Sequence, residues 1–168
     1  MEVDAILKDV ATFFQSLDPA NINLPKISIS HALNDAASYN GNGLIELNPK
    51  RNAEGLSIEE MIAHEFFHHV QHELFWKKLA KPLSNDQEAA VYEFFEGAAF
   101  LFAALYVNRR QMGAASIQNY MMKKEHMTKS GVGNKQALRA FELSDSNPKR
   151  FVQNVLDVGF IDKFLEFL

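Results

Sequence analysis

The sequence predicts an α+β fold, with a small N-terminal sheet followed by a mainly helical chain that carries its chemistry on one helix. Three observations lead there. Two β-branched runs lie before Pro49, helical periodicity takes over from residue 58, and Gly, Pro, Asn and Ser mark the junctions. The 168 residues, 47% hydrophobic and 23% charged, can bury a sizeable core, so residues 1–168 are expected to form a single domain.

The elements follow in order. Val3, Ile6, Leu7, Val10, Phe13, Phe14 and Leu17 recur at helical spacing up to Asp18-Pro19. Glu2, Asp4, Lys8 and Asp9 interrupt this start, so it lacks the apolar core of a secretory signal, and a cytoplasmic location is expected. Ile27 to His31 reads as a strand. Gly43 to Asn48 reads as another, after the turn-like Asn40-Gly41-Asn42-Gly43.

A helix is predicted over 58–80. Ser57 and Glu60 have capping-box spacing, Leu56 and Met61 suit a hydrophobic staple, and Ile58, Ile62, Phe66, Val70 and Leu74 recur at i+4. Pro82 stops it, because the residue before a proline avoids the α region. Asn85 or Asp86 caps a second helix from Gln87 to about Met112, ended by Gly113. The short connection 81–86 makes these two helices antiparallel neighbours. A helix over 114–128 precedes a flexible break at 130–134, which is either a mobile element over a cleft or a plain connector. Shorter helices are expected at 135–143, 148–158 and 160–167.

Several functions are excluded or left open by composition. Zero cysteines rule out disulfides and thiolate–zinc sites, so a zinc here would need His and carboxylate ligands. The fourteen Phe read as core filler. Gly97 to Val107 is apolar but too short to span a bilayer, and no membrane partner is expected. Nothing has the pattern of a nucleic-acid module. Residues 109–150 hold nine Lys/Arg and three Asp/Glu, a net of +6. That segment either favours acidic peptides or an anionic partner, or is a solvated helical surface.

The chemistry lies in His64-Glu65-Phe66-Phe67-His68. On a helix, residues four apart share one face with Cβ atoms roughly 5–6 Å apart, so two imidazoles can reach one Zn²⁺ at roughly 2.0–2.1 Å. Glu65 points aside, placed to take a proton from a water activated by the metal. A catalytic zinc needs a third protein ligand and an open position. At about 1.5 Å per residue, His68 and His64 lie roughly 18 and 24 Å from the helix–helix turn. Glu96 lies roughly 14 Å in and Glu93 roughly 9 Å, with Glu88 near the turn, so Glu96 is the closest to level. Gly97 follows it. A helical glycine costs about 1 kcal/mol against alanine, and Gly97-Ala98-Ala99 would let this helix approach the metal helix closely.

His64-Glu65-x-x-His68 with the downstream Glu96-Gly97-x-Ala99 resembles the gluzincin group of zinc metallopeptidases, over roughly residues 40–107. The resemblance implies a zincin-like fold, Zn²⁺ held by His64, His68 and Glu96, Glu65 as general base, and a peptide or protein substrate. It also implies an edge strand before the metal helix against which substrates lie extended, for which Gly43 to Asn48 is the candidate. Many gluzincins carry an Asp or hydroxyl residue one turn after the glutamate to orient a ligand histidine. Phe100 stands there in this chain, so such a partner must come from elsewhere. The group also commonly uses a Tyr or His at the oxyanion, and the candidates are Tyr39, Tyr106, Tyr120 and His126.

The remaining polar residues have plainer readings. His69 and His72 are expected on the polar face or behind the ligands, and His31 exposed or hydrogen-bonded. Glu93 is a partner of the ligands, a substrate-binding carboxylate or a solvated residue. Two rival functions remain. Glu65-x-x-His68 has the pattern of a di-iron helical bundle, but no other His follows a Glu at that spacing. The other is a helical binding or regulatory module with a structural or vestigial metal site.

Overall fold

A computed structural model of the chain describes residues 3–51, 55–109, 114–124 and 131–165. It is α+β and mainly helical. Helix α1 (Val3–Leu17) buries Ile6, Leu7, Val10, Ala11 and Phe14 on one face, the i, i+4, i+7 stripe of an amphipathic helix. It stops where the Asp18 carboxylate turns to accept the Ala20 amide at 2.8 Å.

Three short strands follow: β1 (Lys26–Ile29), β2 (Ala37–Tyr39) and β3 (Leu44–Leu47). Their order is β1-β3-β2, with β1 parallel and β2 antiparallel to β3. The expected edge strand, 43–48, is therefore central, hydrogen-bonded on both sides. Its alternation sets the face it buries, with Ile45 and Leu47 fully buried, while its place in the sheet comes from pairing with both β1 and β2. The edge beside α2 is β2, joined to β3 through the Asn40–Gly43 turn. There the Asn42 amide donates to the Asn40 side chain at 2.9 Å, and Gly41 and Gly43 take the positive φ values (76° and 72°) that other residues resist. Strand β1 ends before His31, whose carbonyl with that of Leu33 accepts from the buried Asn48 amide.

Helix α2 (Ile58–Leu74) opens with both hydrogen bonds of the Ser57/Glu60 capping box. It ends at Leu74 rather than near 80. Phe75 is buried, and the chain tightens into a 3₁₀ turn (Trp76–Lys78) that swings Trp76 onto the next helix. Helix α3 (Asn85–Val107) is capped by Ser84, not Asn85 or Asp86: the Ser84 hydroxyl accepts the Gln87 amide at 3.3 Å, and Gln87 Oε1 accepts the Ser84 amide at 3.0 Å. It ends at Val107, where the Asn108 amide donates to the Ala104 carbonyl, rather than running to about Met112; Gly113 lies outside the described residues. It is long and apolar enough to cross a membrane, extending well beyond the run 97–107. Two-thirds of its most apolar stretch is buried, which is the signature of a core helix here. Phe66, Phe67 and Phe14 meet its Phe102, with Phe67 stacked on Phe102 at 4.5 Å. Each such ring, fully buried, contributes roughly 1.5–3 kcal/mol.

Helices α4 (Ala114–Lys124), α5 (Gly131–Leu143), α6 (Pro148–Val155) and α7 (Val158–Leu165) complete the fold. Residues 131–134, expected as a flexible break, form the first turn of α5, and Ser130 lies outside the described residues. Gly97 supplies the reason. A Cβ there would stand 1.9 Å from the Gly133 carbonyl oxygen and 2.7 Å from the Asn134 amide nitrogen. The glycine contact thus joins α3 to α5, not to α2. It also seats Gly133 and Asn134 against α3, since backbone this close leaves no space for a side chain.

Candidate metal centre

The capping box sets where α2 starts, and its apolar stripe sets which way it faces. With Ile62, Phe66 and Val70 turned into the core, His64 and His68 fall on the flank facing α3. Their Nε2 atoms lie 3.0 Å apart. From α3, Glu96 brings Oε2 to 3.6 Å from His64 Nε2 and Oε1 to 3.2 Å from His68 Nε2. Among the described residues these three form the one group of metal-ligating type whose donor atoms all lie within 4.8 Å. Donors around a tetrahedral zinc at roughly 2.0–2.1 Å stand about 3.3 Å apart, so the observed 3.0–3.6 Å fits such an ion.

A residue that the sequence reading missed completes the arrangement. Gln71 is buried, its Nε2 donates to the Phe95 carbonyl at 3.1 Å, and its Oε1 lies 2.8 Å from His68 Nδ1. A carbonyl can only accept, so the Gln71 amide must present its oxygen to His68. Nδ1 then carries a proton, leaving Nε2 as the metal-facing atom. Gln71 also ties His68 to the backbone immediately before Glu96. A polar residue three positions after His68 and four after Phe67, inside an otherwise buried flank, was the available signal. Gln71→Leu is expected to weaken zinc binding about 10–100-fold, measured by competition with a chelator.

Phe100 plays a different part. Its ring lies 4.2 Å from the His64 imidazole, centroid to centroid, and His64 Nδ1 is buried without a hydrogen bond among the described residues. On its Nδ1 side that ring has packing and no hydrogen-bonding carboxylate among the described residues; Glu96 meets it at Nε2.

The electrostatics follow from the same contacts. Burial disfavours a charged His68, but the hydrogen bond and charge of Glu96, aided by Glu65 and Gln71, outweigh it and raise the imidazole to about 9. Partial desolvation of Glu96 opposes its ionisation. The hydrogen bonds from His64 and His68, and their charge, win and hold it well below the usual carboxylate range. Without metal, the stabilisation from the raised His68 is complete below its ordinary 6.5 and is lost as pH rises through about 9. That from the lowered Glu96 is present above its ordinary 4.5 and is lost as pH falls through its depressed value.

A metal ion held at His68 Nε2 would have to displace the His68 proton. Binding should therefore release about one proton per zinc from His68 until pH approaches about 9, and affinity should rise about tenfold per pH unit over that range. Calorimetry in buffers of different ionisation enthalpy measures this release. Its disappearance by pH 8 would mean that Glu96 does not hold the proton.

Glu65 is buried and lines the cleft with the ligand group. That cleft, about 1050 Å³, runs between β2 and α3 with α2 as its floor. His69 is buried, not on the polar face. Its Nε2 donates to the Asn23 carbonyl at 2.7 Å, and its Nδ1 accepts from the Tyr39 hydroxyl at 3.1 Å. His72 Nδ1 lies 3.3 Å from the Tyr39 oxygen. Burial lowers His69 and raises Tyr39, so both stay neutral and this chain fastens β2 to α2.

Of the oxyanion candidates, Tyr39 lines the cleft. Tyr106 donates to Asp9 at 2.7 Å, and burial with that carboxylate pushes it up to about 12. Tyr120, on α4, is not part of the cleft lining. His126 lies outside the described residues. No described residue beyond Phe100 lines the cleft, so the basic stretch 109–150 contributes no described side chain to it.

Comparison with known proteins adds one finding. Residues 2–142 match the family described as "Putative zinc dependent peptidase (DUF5700)". No curated protein and no solved structure matches the chain. The match takes in α1, the sheet, and both helices that carry His64, His68 and Glu96. The chain therefore belongs to the DUF5700 family.

Proposed function

We propose that the chain is a gluzincin-type, zincin-like peptidase, with His64, His68 and Glu96 holding Zn²⁺ and Glu65 acting as general base. One observation carries the reading: two imidazole nitrogens and a carboxylate converge at 3.0–3.6 Å in a cleft that Glu65 also lines. Zinc, when bound, would supply Lewis acidity, making water a better acid and a peptide carbonyl a better electrophile.

The rest is done by the chain's own groups. Glu65 takes a proton from the attacking water as its oxygen bonds to the carbonyl carbon. It then gives that proton to the departing amine nitrogen as the C–N bond breaks. Strand β2 supports an extended substrate. The Asn48 amide donates to the Ala36 carbonyl, and the Asn40 amide to that of Leu44. Even-numbered residues thus turn toward β3, leaving the amides and carbonyls of Ala37 and Tyr39 without a strand partner among the described residues and able to pair with a peptide. A structural zinc would be closed by a fourth protein ligand, whereas three converge among the described residues.

The test is digestion of an unstructured peptide library. The protein carrying one zinc per chain is expected to cleave it, to stop when the metal is chelated, and to recover when zinc is restored. A preparation holding one zinc that cleaves nothing would defeat the proposal.

A further inference from the structure

We propose that Trp76, Tyr92 and Glu93 form a subsite for a cationic side chain, lysine or arginine, of the peptide substrate. The inference rests on the peptidase reading and names the substrate class. Trp76 leaves α2 in its 3₁₀ turn and stacks on Tyr92 of α3, with ring centroids 4.8 Å apart and 29° between planes. Phe75 and Phe95 meet Trp76 edge-on at 5.3 and 5.9 Å, so the core grips the indole from behind. The front is open. Tyr92 is 54% exposed, and Trp76, Tyr92 and Glu93 all line the cleft. An aromatic pair held rigid on one side and left wet on the other gains nothing in stability from its wet face.

Charge decides what that face accepts. Glu93 makes no ion pair among the described residues. The nearby Lys77 is bound to Glu73 at 2.6 Å, and neither of these lines the cleft. The described Lys/Arg lining consists of Arg51 alone, on the segment after β3. A cation laid over the rings would gain the attraction of the π face, and Glu93 would supply a charge-assisted hydrogen bond. A neutral aromatic side chain would use the rings and leave the carboxylate without a partner.

Position follows from α3. Tyr92 and Glu93 precede Glu96 by one helical turn, about 4.5–6 Å along the axis. An extended peptide covers about 3.3–3.6 Å per residue, so the cationic residue sits within about two residues of the bond cut.

Trp76 is the only tryptophan in the chain, so its fluorescence reports directly on this end of the cleft. The zinc-loaded Glu65→Gln protein, which should not consume the probe, is titrated with acetylated, amidated alanine pentapeptides bearing a central arginine, leucine, phenylalanine or glutamate. The arginine peptide is expected to bind about tenfold more tightly than the leucine peptide. Adding Glu93→Gln should cut that ratio severalfold, leaving only what the rings contribute, and Glu93→Lys should turn it in favour of glutamate. Equal binding in the Glu93 parent, a preference for leucine or phenylalanine, or an arginine preference undiminished by Glu93→Gln would each overturn the subsite. In the library digest, lysine and arginine should be enriched at one fixed position within two residues of the cut. If the protein with Glu65 intact cleaves nothing while the arginine preference holds, the peptidase reading fails and the subsite stands.

Discussion

Glu65→Gln is expected to lower kcat for peptide hydrolysis about 10³-fold, within the roughly 10²–10⁴-fold range of general acid–base catalysis. The zinc content should remain that of the parent. Glu65 lies outside the convergent group of His64, His68 and Glu96, so the metal loses no ligand. Glutamine has the same shape and leaves the buried flank of α2 filled, but its amide cannot accept a proton. The loss should therefore fall on kcat with KM little changed, since the missing interaction belongs to the transition state. Steady-state kinetics with a fluorogenic peptide, beside metal analysis of the same preparation, measures both quantities. A variant within tenfold of the parent would remove Glu65 from the chemistry.

The second large effect concerns Glu96. Structural zinc sites bind with roughly 10–16 kcal/mol in total, so one ligand of three or four contributes about 3–4 kcal/mol, or roughly 10²–10³ in affinity. Glu96→Ala should weaken zinc binding by that factor. Its side chain is 55% exposed, so the truncation leaves no deep cavity, and the fold should survive. The same variant removes the charge that raises His68, so proton release on zinc binding should fade at lower pH than in the parent. Glu88→Ala, at the start of the same helix and outside the cleft, should bind zinc as the parent does. Competition against a fluorescent zinc chelator distinguishes the two.

The parts of the molecule legible in its sequence are those governed by local rules. The Ser57/Glu60 box announces α2, the i+4 stripe gives its buried face, and helix rise brings Glu96 level with the histidines more closely than Glu93. Where several residues satisfy a local rule equally, reading fails. Ser84, Asn85 and Asp86 are all good caps, and Asn85 even has Glu88 at the reciprocal position, so only the bonds exchanged by Ser84 and Gln87 in the folded chain select the first. Strand β2 is three residues, Ala-Ser-Tyr, with no pattern of its own. It exists because β3 pairs with it and because Tyr39 is fastened to His69 and His72. That pairing made 43–48 central and put a different strand at the cleft.

Gly97 was legible as a close contact but not as a contact with Gly133, because periodicity says which face is crowded and not by whom. Gln71 shows the same limit. Its burial could be read from its place on the flank, but its bond to the Phe95 carbonyl depends on how two helices meet.

X-ray absorption at the zinc edge of the parent protein tests the central claim most directly. Two imidazole nitrogens and two oxygens are predicted at roughly 2.0–2.1 Å, one oxygen from Glu96 and one from exchangeable solvent. A spectrum that Glu96→Ala leaves unaltered, or one requiring four protein donors, would contradict the account.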